Sequence, residues 1–454
     1  MKKLLLTLLT LLSLQLQAQC WKKISGGGTH TIAIKDDGTL WAWGLNNSGQ
    51  LGNGTLENKN IPVQIGTDTD WVIISSGFKT NAAIKANGTL WAWGINLDGQ
   101  ISGGQTYQNI PAQIGTDNNW KTVECPGRHI LAIKNNGTLW TWGYNAYGQL
   151  GLNTTETTNT PTQVGTATDW KEISGGAYFT LALKQNGTLW SCGANDGGLG
   201  INTQELFVTT FTQIGTDNDW KTMSAGYYHA LGVKNNGSLW AWGDHTYGRL
   251  GDNSGATYRY SPVNISTDNW INVYADFMSN YGIKSDGTLW KWGTGEFSEN
   301  HEPINSLLAP TKVGQDTNWK QIQVVKDNSV FITKTNNNIF VWGDNKYGEL
   351  GLGDTNIHPN QTLFGTMCDS TASLNENTLS TISVYPNPTS GLLNLANANN
   401  LNIEKLTVID VTGKTLLEQR NNTSQIDVQH LPAGMYFLEI TTGETKQHIK
   451  FIKE

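Results

Sequence analysis

Beyond residue 16 the chain has no long apolar run, so no later segment is long enough to span a bilayer. The opening stretch, Met1-Lys2-Lys3, a Leu-rich run over 4–16 and Gln17-Ala18-Gln19, is also too short to span. It ends in a small residue and has the form of a secretory signal peptide over residues 1–18, with cleavage after Ala18. Gln19 stands where a lipid-attachment motif before Cys20 needs a small residue, which argues against a lipid anchor. A basic surplus is missing too. Lys and Arg number 30 against 37 Asp and Glu, a net charge of −7, so there is no electrostatic footprint for nucleic acid. Cysteine is scarce, at four, with no Cys-x-x-Cys pair to read as a metal site. His-Glu-x-x-His, Gly-x-Ser-x-Gly and Gly-x-x-x-x-Gly-Lys are all absent. Clusters such as Gly26-Gly27-Gly28 precede strand patterns rather than helices and so lack an anion-binding helix N-terminus. We therefore expect no catalytic residue, metal or cofactor, and no enzyme.

A repeat is there instead. Asp37-Gly38-Thr39-Leu40-Trp41-Ala42-Trp43-Gly44 returns from Asn87, Asn136, Asn186, Asn236 and Asp286, with an eroded seventh copy at Asn337-Asn338-Ile339-Phe340-Val341-Trp342-Gly343. A second Trp starts each copy, at 21, 71, 120, 170, 220, 270 and 319, in steps of 49 or 50 residues. A period near fifty marks an array of supersecondary units. In each unit an alternating run such as Thr31-Ile32-Ala33-Ile34-Lys35 has the period of a half-buried strand. Asn-Gly or Asp-Gly follows, the pair suited to a type I′ hairpin with two positive φ angles, and Leu-Trp-x-Trp returns with both indoles on one face. Asn337 replaces the turn Gly in the last copy, as the next most tolerant residue there. A Pro-bearing segment such as Ile61 to Gly66 reads as the edge strand.

One such sheet cannot bury both faces alone, whereas seven stacked around an axis can. The expected fold is all-β, a seven-bladed β-propeller over 19–368. All 19 Trp fall on the three repeat positions, with Phe340 and Cys192 in the two vacancies, so they read as blade core.

Gly27 to Thr31, the Trp-Ala-Trp-Gly-x-Asn strand and the Gly-Gln-Leu-Gly turns at 49–52 and 148–151 resemble the repeats of the RCC1 (regulator of chromosome condensation) family. The resemblance implies the propeller fold. It leaves function open, because members serve as nucleotide exchange factors, light receptors, ubiquitin-ligase accessory domains and secreted enzyme inhibitors.

Cys125 and Cys192 take core positions and are expected as buried thiols. Cys20 precedes the first blade and Cys368 follows the last. Ring closure brings them together, and in an exported protein a disulfide is expected there, stabilising by roughly 4–5 kcal/mol in the chain-entropy model. His30, His129 and His229 share one repeat position in non-adjacent blades, which suits a structural hydrogen bond better than a shared metal. Asp68-Thr69-Asp70 and Asp217-Asn218-Asp219 admit calcium but are explained more cheaply by Asx-turns. Asn-Gly-Thr sequons such as those at Asn87 and Asn136 are hairpin turns first.

Residues 369–380 read as a linker, and 381–454 as a small β-sandwich. Tyr385-Pro386-Asn387-Pro388-Thr389-Ser390-Gly391 and Leu431-Pro432-Ala433-Gly434-Met435-Tyr436 resemble the C-terminal sorting domain of type IX secretion (Por) substrates in Bacteroidetes. That resemblance implies handling by the type IX machinery and a secreted or cell-surface product.

The informative variation lies between the first and second strands of each blade: Phe78, Lys79, Arg128, Tyr178, Phe179, Tyr227, Tyr228, Phe277 and Met278, with Asp327 and Asn328 in the last. Blade one manages with Gly28 and Thr29, so blade geometry does not demand bulk. Such residues suit an interface, or else they cap the axial channel or pack on neighbouring loops. These loops are expected at one end of the ring and the polar Gly-Gln-Leu-Gly turns at the other. The leading expectation is a module binding a protein or polysaccharide. A secreted inhibitor of the kind that blocks β-lactamase is the family analogue, and guanine-nucleotide exchange a remoter alternative that export disfavours. A light-receptor role would need Trp clusters in the end loops, which are absent.

Overall fold

The computed structural model describes residues 20–368, except 102–103, 197, 298–302 and 327–328, and residues 382–454, except 398–402, 411–413, 421–422 and 443–444. The expected signal peptide and linker lie outside the described residues, as do Asp327 and Asn328. The chain forms two compact units that divide between Cys368 and Asp369.

The first unit is seven four-stranded antiparallel sheets, each built from four consecutive strands. In blade one these are Trp21–Gly26, His30–Lys35, Leu40–Gly44 and Lys59–Ile65. The first strands line the axis and the fourth are outer edges, where Pro62 sits at no cost to the ladder. The blades close into a ring because the first and last share one core. Trp21, Ile24 and Trp43 pack with Phe331, Val341 and Leu350, and Trp21 stacks on Phe364 at 5.8 Å. A Cys20–Cys368 disulfide and a parallel bridge between Trp21 and Met367 seal the seam.

The turn between the second and third strands differs from the type I′ form. Gly38 N–H donates to the Lys35 carbonyl, and the Gly (φ +78°) is the turn residue of positive φ, which defines a type I turn followed by a glycine bulge. The cause is loop length, since the strands close over three residues, Asp36, Asp37 and Gly38, rather than two. A Cβ on Gly38 would sit 1.9 Å from the Thr69 carbonyl oxygen, so Gly serves both the turn and the approach of the next sheet. Asn337 takes the same place at φ +64°. Asp37 Oδ1 meanwhile accepts from the Thr39 amide and hydroxyl, and Thr39 Oγ1 accepts from the Trp41 indole, a relay repeated from Asn87 and Asn136.

Beside it the Lys ending each second strand lies between two aromatic rings. Lys134 Nζ is 4.6 Å from the Trp120 ring and 3.6 Å from Trp140, and 2.7 Å from Asp117. Lys85, Lys234, Lys284 and Lys334 repeat this with Asp68, Asp217, Asp268 and Asp316. The Asp-bearing loops are therefore cation partners rather than the Asx-turns expected. The three His bridge blades: Nε2 of His30, His129 and His229 lies 2.8, 3.1 and 2.6 Å from Asn81, Thr180 and Asn280 of the next blade. Burial drives their pKa values down to about 4, 3 and 3, so the rings are neutral. Cys125 and Cys192 are buried thiols.

The second unit is a two-sheet β-sandwich of three and four strands around Leu393, Leu406, Val408, Leu438, Ile440 and Phe451. Its two sequence marks have structural work: the Tyr436 hydroxyl donates to the Pro432 carbonyl, and Asn387 Oδ1 accepts from the Ile452 amide of the last strand.

Candidate functional site

Strand direction decides what shares an end of the ring. In an antiparallel four-stranded blade the first and third connections lie at one end and the second and fourth connections at the other. The Gly-Gln-Leu-Gly turns are third connections, so they join the variable tips rather than opposing them, contrary to the expectation from sequence. Contacts bear this out: Arg128, in the blade-three tip, forms a two-pronged pair with Asp98 in the blade-two turn at 2.6 and 2.8 Å.

The tips of blades one, two, four, five and six are two-residue loops, each closed by a backbone bond such as Gly77 N–H to the Thr80 carbonyl, while Pro126 leaves blade three without that donor. The first tip position faces the axis. Gly28, Phe78, Ala177, Tyr227 and Phe277 line a depression of about 310 Å3 at the channel mouth, with Tyr227 and Phe277 edge-to-face at 4.7 Å. The second position lies over a third-connection turn: Lys79 Nζ reaches Asn47 and Tyr178 lies 5.1 Å from Tyr147, both in the previous blade, while the Arg128 guanidinium stacks 4.1 Å from the Tyr144 ring of its own blade. Both packing alternatives weighed from sequence are thus realised, yet Phe78 remains 55% exposed and Arg128 exposed. Tyr227, Phe277 and Met278 are half-buried. So is Tyr228, whose hydroxyl is pushed up to about 12 by burial and then by Tyr227, Tyr178 and Asp196.

Phe179 is a correction. It is one residue past the tip, at the repeat position of the bridging His, and is 2% exposed in the blade core, so it cannot offer its ring to a partner. A tip counted as two residues, rather than two or three, would have excluded it.

Other members of this face were missed. Among the described residues of the propeller the exposed large aromatics are Phe78, Tyr107, Tyr147, Phe207, Tyr247 and Tyr258. Tyr147 and Tyr247 are in the third connections, and Tyr107, Phe207 and Tyr258 open the outer strands that follow, so all six are at the tip end. Their departure from the repeat was visible in the sequence; the wrong end assignment hid it. The opposite end carries Asp, Asn, Thr and Gly in its loops.

These features define a closed seven-bladed propeller with one aromatic end, joined to a separate β-sandwich. Residues 7–300 match the RCC1-like domain model and residues 383–454 the secretion system C-terminal sorting domain. The chain belongs to the RCC1-like domain family and carries a sorting tail that marks export by type IX secretion. Similar solved structures include human WBSCR16, at 19% identity over 72% of this chain and 95% of that one, with a TM-score of 0.63. Yeast RCC1 (Prp20), crystallised with Kap60, is 20% identical over 67% of this chain and 77% of that one, with a TM-score of 0.56. A further structure of Prp20p from Saccharomyces cerevisiae is 21% identical over 66% and 78%, with a TM-score of 0.57. At these identities the likeness speaks to fold. No helix among the described residues is long and apolar enough to cross a membrane.

Proposed function

We propose that this chain is an exported binding module, acting at the cell surface or outside the cell, whose aromatic end captures a protein or glycan. The observation that carries this reading is the confinement of all six exposed large aromatics of the described propeller to one end. Each costs solubility and none is required by the repeat, since other blades hold the same positions with small or polar residues. Tyr, Phe and Arg held on short, tightly bonded loops suit recognition, because little side-chain freedom remains to be lost on binding. The neutral, buried His and the ion-paired Lys are committed to the scaffold, which favours binding over catalysis.

The test is capture by the mature protein from surrounding proteins and from immobilised polysaccharides, compared with a Tyr178→Ala, Tyr228→Ala, Phe277→Ala variant whose circular dichroism matches the parent. Loss of capture supports the aromatic end. Unchanged affinity rejects it.

A further inference from the structure

The end of the ring opposite the tips carries a second set of lysines, distinct from those held between two rings. In every blade the pairing of the first and second strands skips the residue after the Trp. In blade one Trp21 lies opposite Lys35 and Lys23 opposite Ile34, and the same step follows each of the other six Trp. The skipped residue is the extra member of a β-bulge, which turns its side chain out of the ladder. It stands on the strand nearest the axis, at the end where the first strands begin. Five blades place Lys there: Lys22, Lys121, Lys171, Lys221 and Lys320, all exposed. Blades two and six have Val72 and Ile271, so the bulge does not demand Lys. The next position holds a different residue in almost every blade, from Lys23 and Ile73 to Glu172 and Gln321.

The two sets differ in how their charge is met. Each of the eight carboxylates in the loops that enter the first strands lies within 3.2 Å of a Lys that ends a second strand, as Asp68 and Asp70 do around Lys85. Those pairs sit over the second strands, one strand spacing of about 4.8 Å further from the axis. Among the described residues no bulge Lys has a carboxylate partner. Lys171 Nζ donates to the Lys221 carbonyl at 3.2 Å, and Lys320 Nζ to Asn337 Oδ1 at 2.9 Å. The first three positions of the seven inner strands hold six Lys against one carboxylate, Glu172, which accepts from the Thr222 hydroxyl at 2.7 Å. Val72 and Ile271 divide the six into two arcs of three. Lys121, Lys171 and Lys221 form one on blades three to five, and Lys320, Lys22 and Lys23 the other on blades seven and one.

Like charges gathered around one axis repel each other and concentrate anions there. This end offers a partner little else. Outside the outer strands Ile271 is its one exposed large apolar side chain among the described residues, and it has no exposed large aromatic. A protein partner needs apolar anchors to bury, and a single-stranded nucleic acid needs rings for its bases. None of the propeller's three Arg, with their forked grip, is at this end, whereas Lys acts as a point charge toward hydrated oxyanions. We propose that this end of the ring is a second binding site, for an anionic polysaccharide whose sulfate or carboxylate groups span the two arcs of ammonium groups. The site is independent of the aromatic end.

The probe is a heparin oligosaccharide, titrated calorimetrically into the mature full chain beside uncharged dextran, polyglutamate and a single-stranded oligonucleotide. We expect saturable heparin binding that weakens about tenfold or more between about 50 and 200 mM salt, and no binding of dextran. Lys121→Gln, Lys171→Gln and Lys221→Gln together should weaken heparin about tenfold and leave the melting temperature unchanged, because these side chains are exposed. Val72→Lys, which fills one gap between the arcs, should tighten it. The Tyr178, Tyr228, Phe277 variant of the aromatic end should bind heparin as the parent does. Absence of heparin binding at low salt, or binding that ignores both the Lys triple variant and Val72→Lys, overturns the inference. Heparin binding lost with the aromatic residues overturns it as well, by moving the ligand to the other end. Polyglutamate or the oligonucleotide held more tightly than heparin would refute a polysaccharide as the ligand. Failure in any of these leaves the reading of the aromatic end to its own test.

Discussion

The two ends of the ring are made by the same seven repeats under opposite rules. At the lower end the blades repeat one solution: a Gly or Asn turn, a Thr or Ser relay in most copies, and a Lys between two rings, with an Asp beside it in blades two to seven. At the upper end the same connections carry Gly28-Thr29 in one blade, Phe78-Lys79 in the next and Tyr227-Tyr228 in another. A position that must meet the next blade is held constant, and one that meets solvent is free to vary. The difference shows that the repeat is a mould for one end only, so irregularity itself points to the recognition face.

Acid should separate the ends most sharply. The bridging His are neutral and buried near the upper end, with folded pKa values of about 4, 3 and 3 against an ordinary 6.5. Below 6.5 the unfolded chain binds more protons than the folded one, so stability falls with pH until the folded values are reached. At pH 5 the loss is roughly 2 kcal/mol for each His and about 6 for the three. Asp268, at the lower end, is held below the ordinary carboxylate range by its bond to Lys284 and stays ionised at pH 5. Hydrogen exchange at pH 5 against pH 7.5 should therefore show protection lost first in strands beginning at His30, His129 and His229.

Closure comes next in size. Replacing Cys20 and Cys368 with Ser removes a link across 348 residues and should cost at most about 6 kcal/mol in the chain-entropy model, read as a denaturant midpoint. Glu349, in the blade-seven turn, is raised to about 7 by burial, where blades one to three use Gln. A raised folded value means a penalty that begins above 4.5 and is complete above 7. Glu349→Gln should stabilise by up to about 3 kcal/mol at pH 8 and by little at pH 4, measured by thermal melts at both. Smallest is Lys134→Met at the lower end. It loses an ion pair and two ring contacts and should cost about 1–2 kcal/mol while leaving capture unchanged.

The fold was legible because its signals are periodic. Nineteen Trp on three positions left no other architecture, and Asn337 declared its positive φ by replacing Gly. What stayed hidden depended on what lies beside a residue in the next blade. The Lys–Asp pairing joins positions about 17 residues apart through the ring contacts of both flanking strands, which alternation alone does not encode. The form of the hairpin turn was missed because the strands close over three residues, Asp36, Asp37 and Gly38, rather than over the Asp-Gly pair alone. Phe179 was misplaced because an aromatic one step past a tip looks like its neighbour until the strand register is known. The face itself was split in two by counting connections without alternating their ends.

The most direct measurement compares two matched triple variants of the mature chain. One is Phe78→Ala, Tyr178→Ala, Tyr227→Ala at the upper end, and the other Asp68→Asn, Asp117→Asn, Asp217→Asn at the lower. Melting temperature and capture of whatever partner the parent retains are read on both. We expect the first to melt close to the parent and lose capture, and the second to melt lower and keep it. Capture lost only in the lower-end variant would contradict the division of labour between the ends.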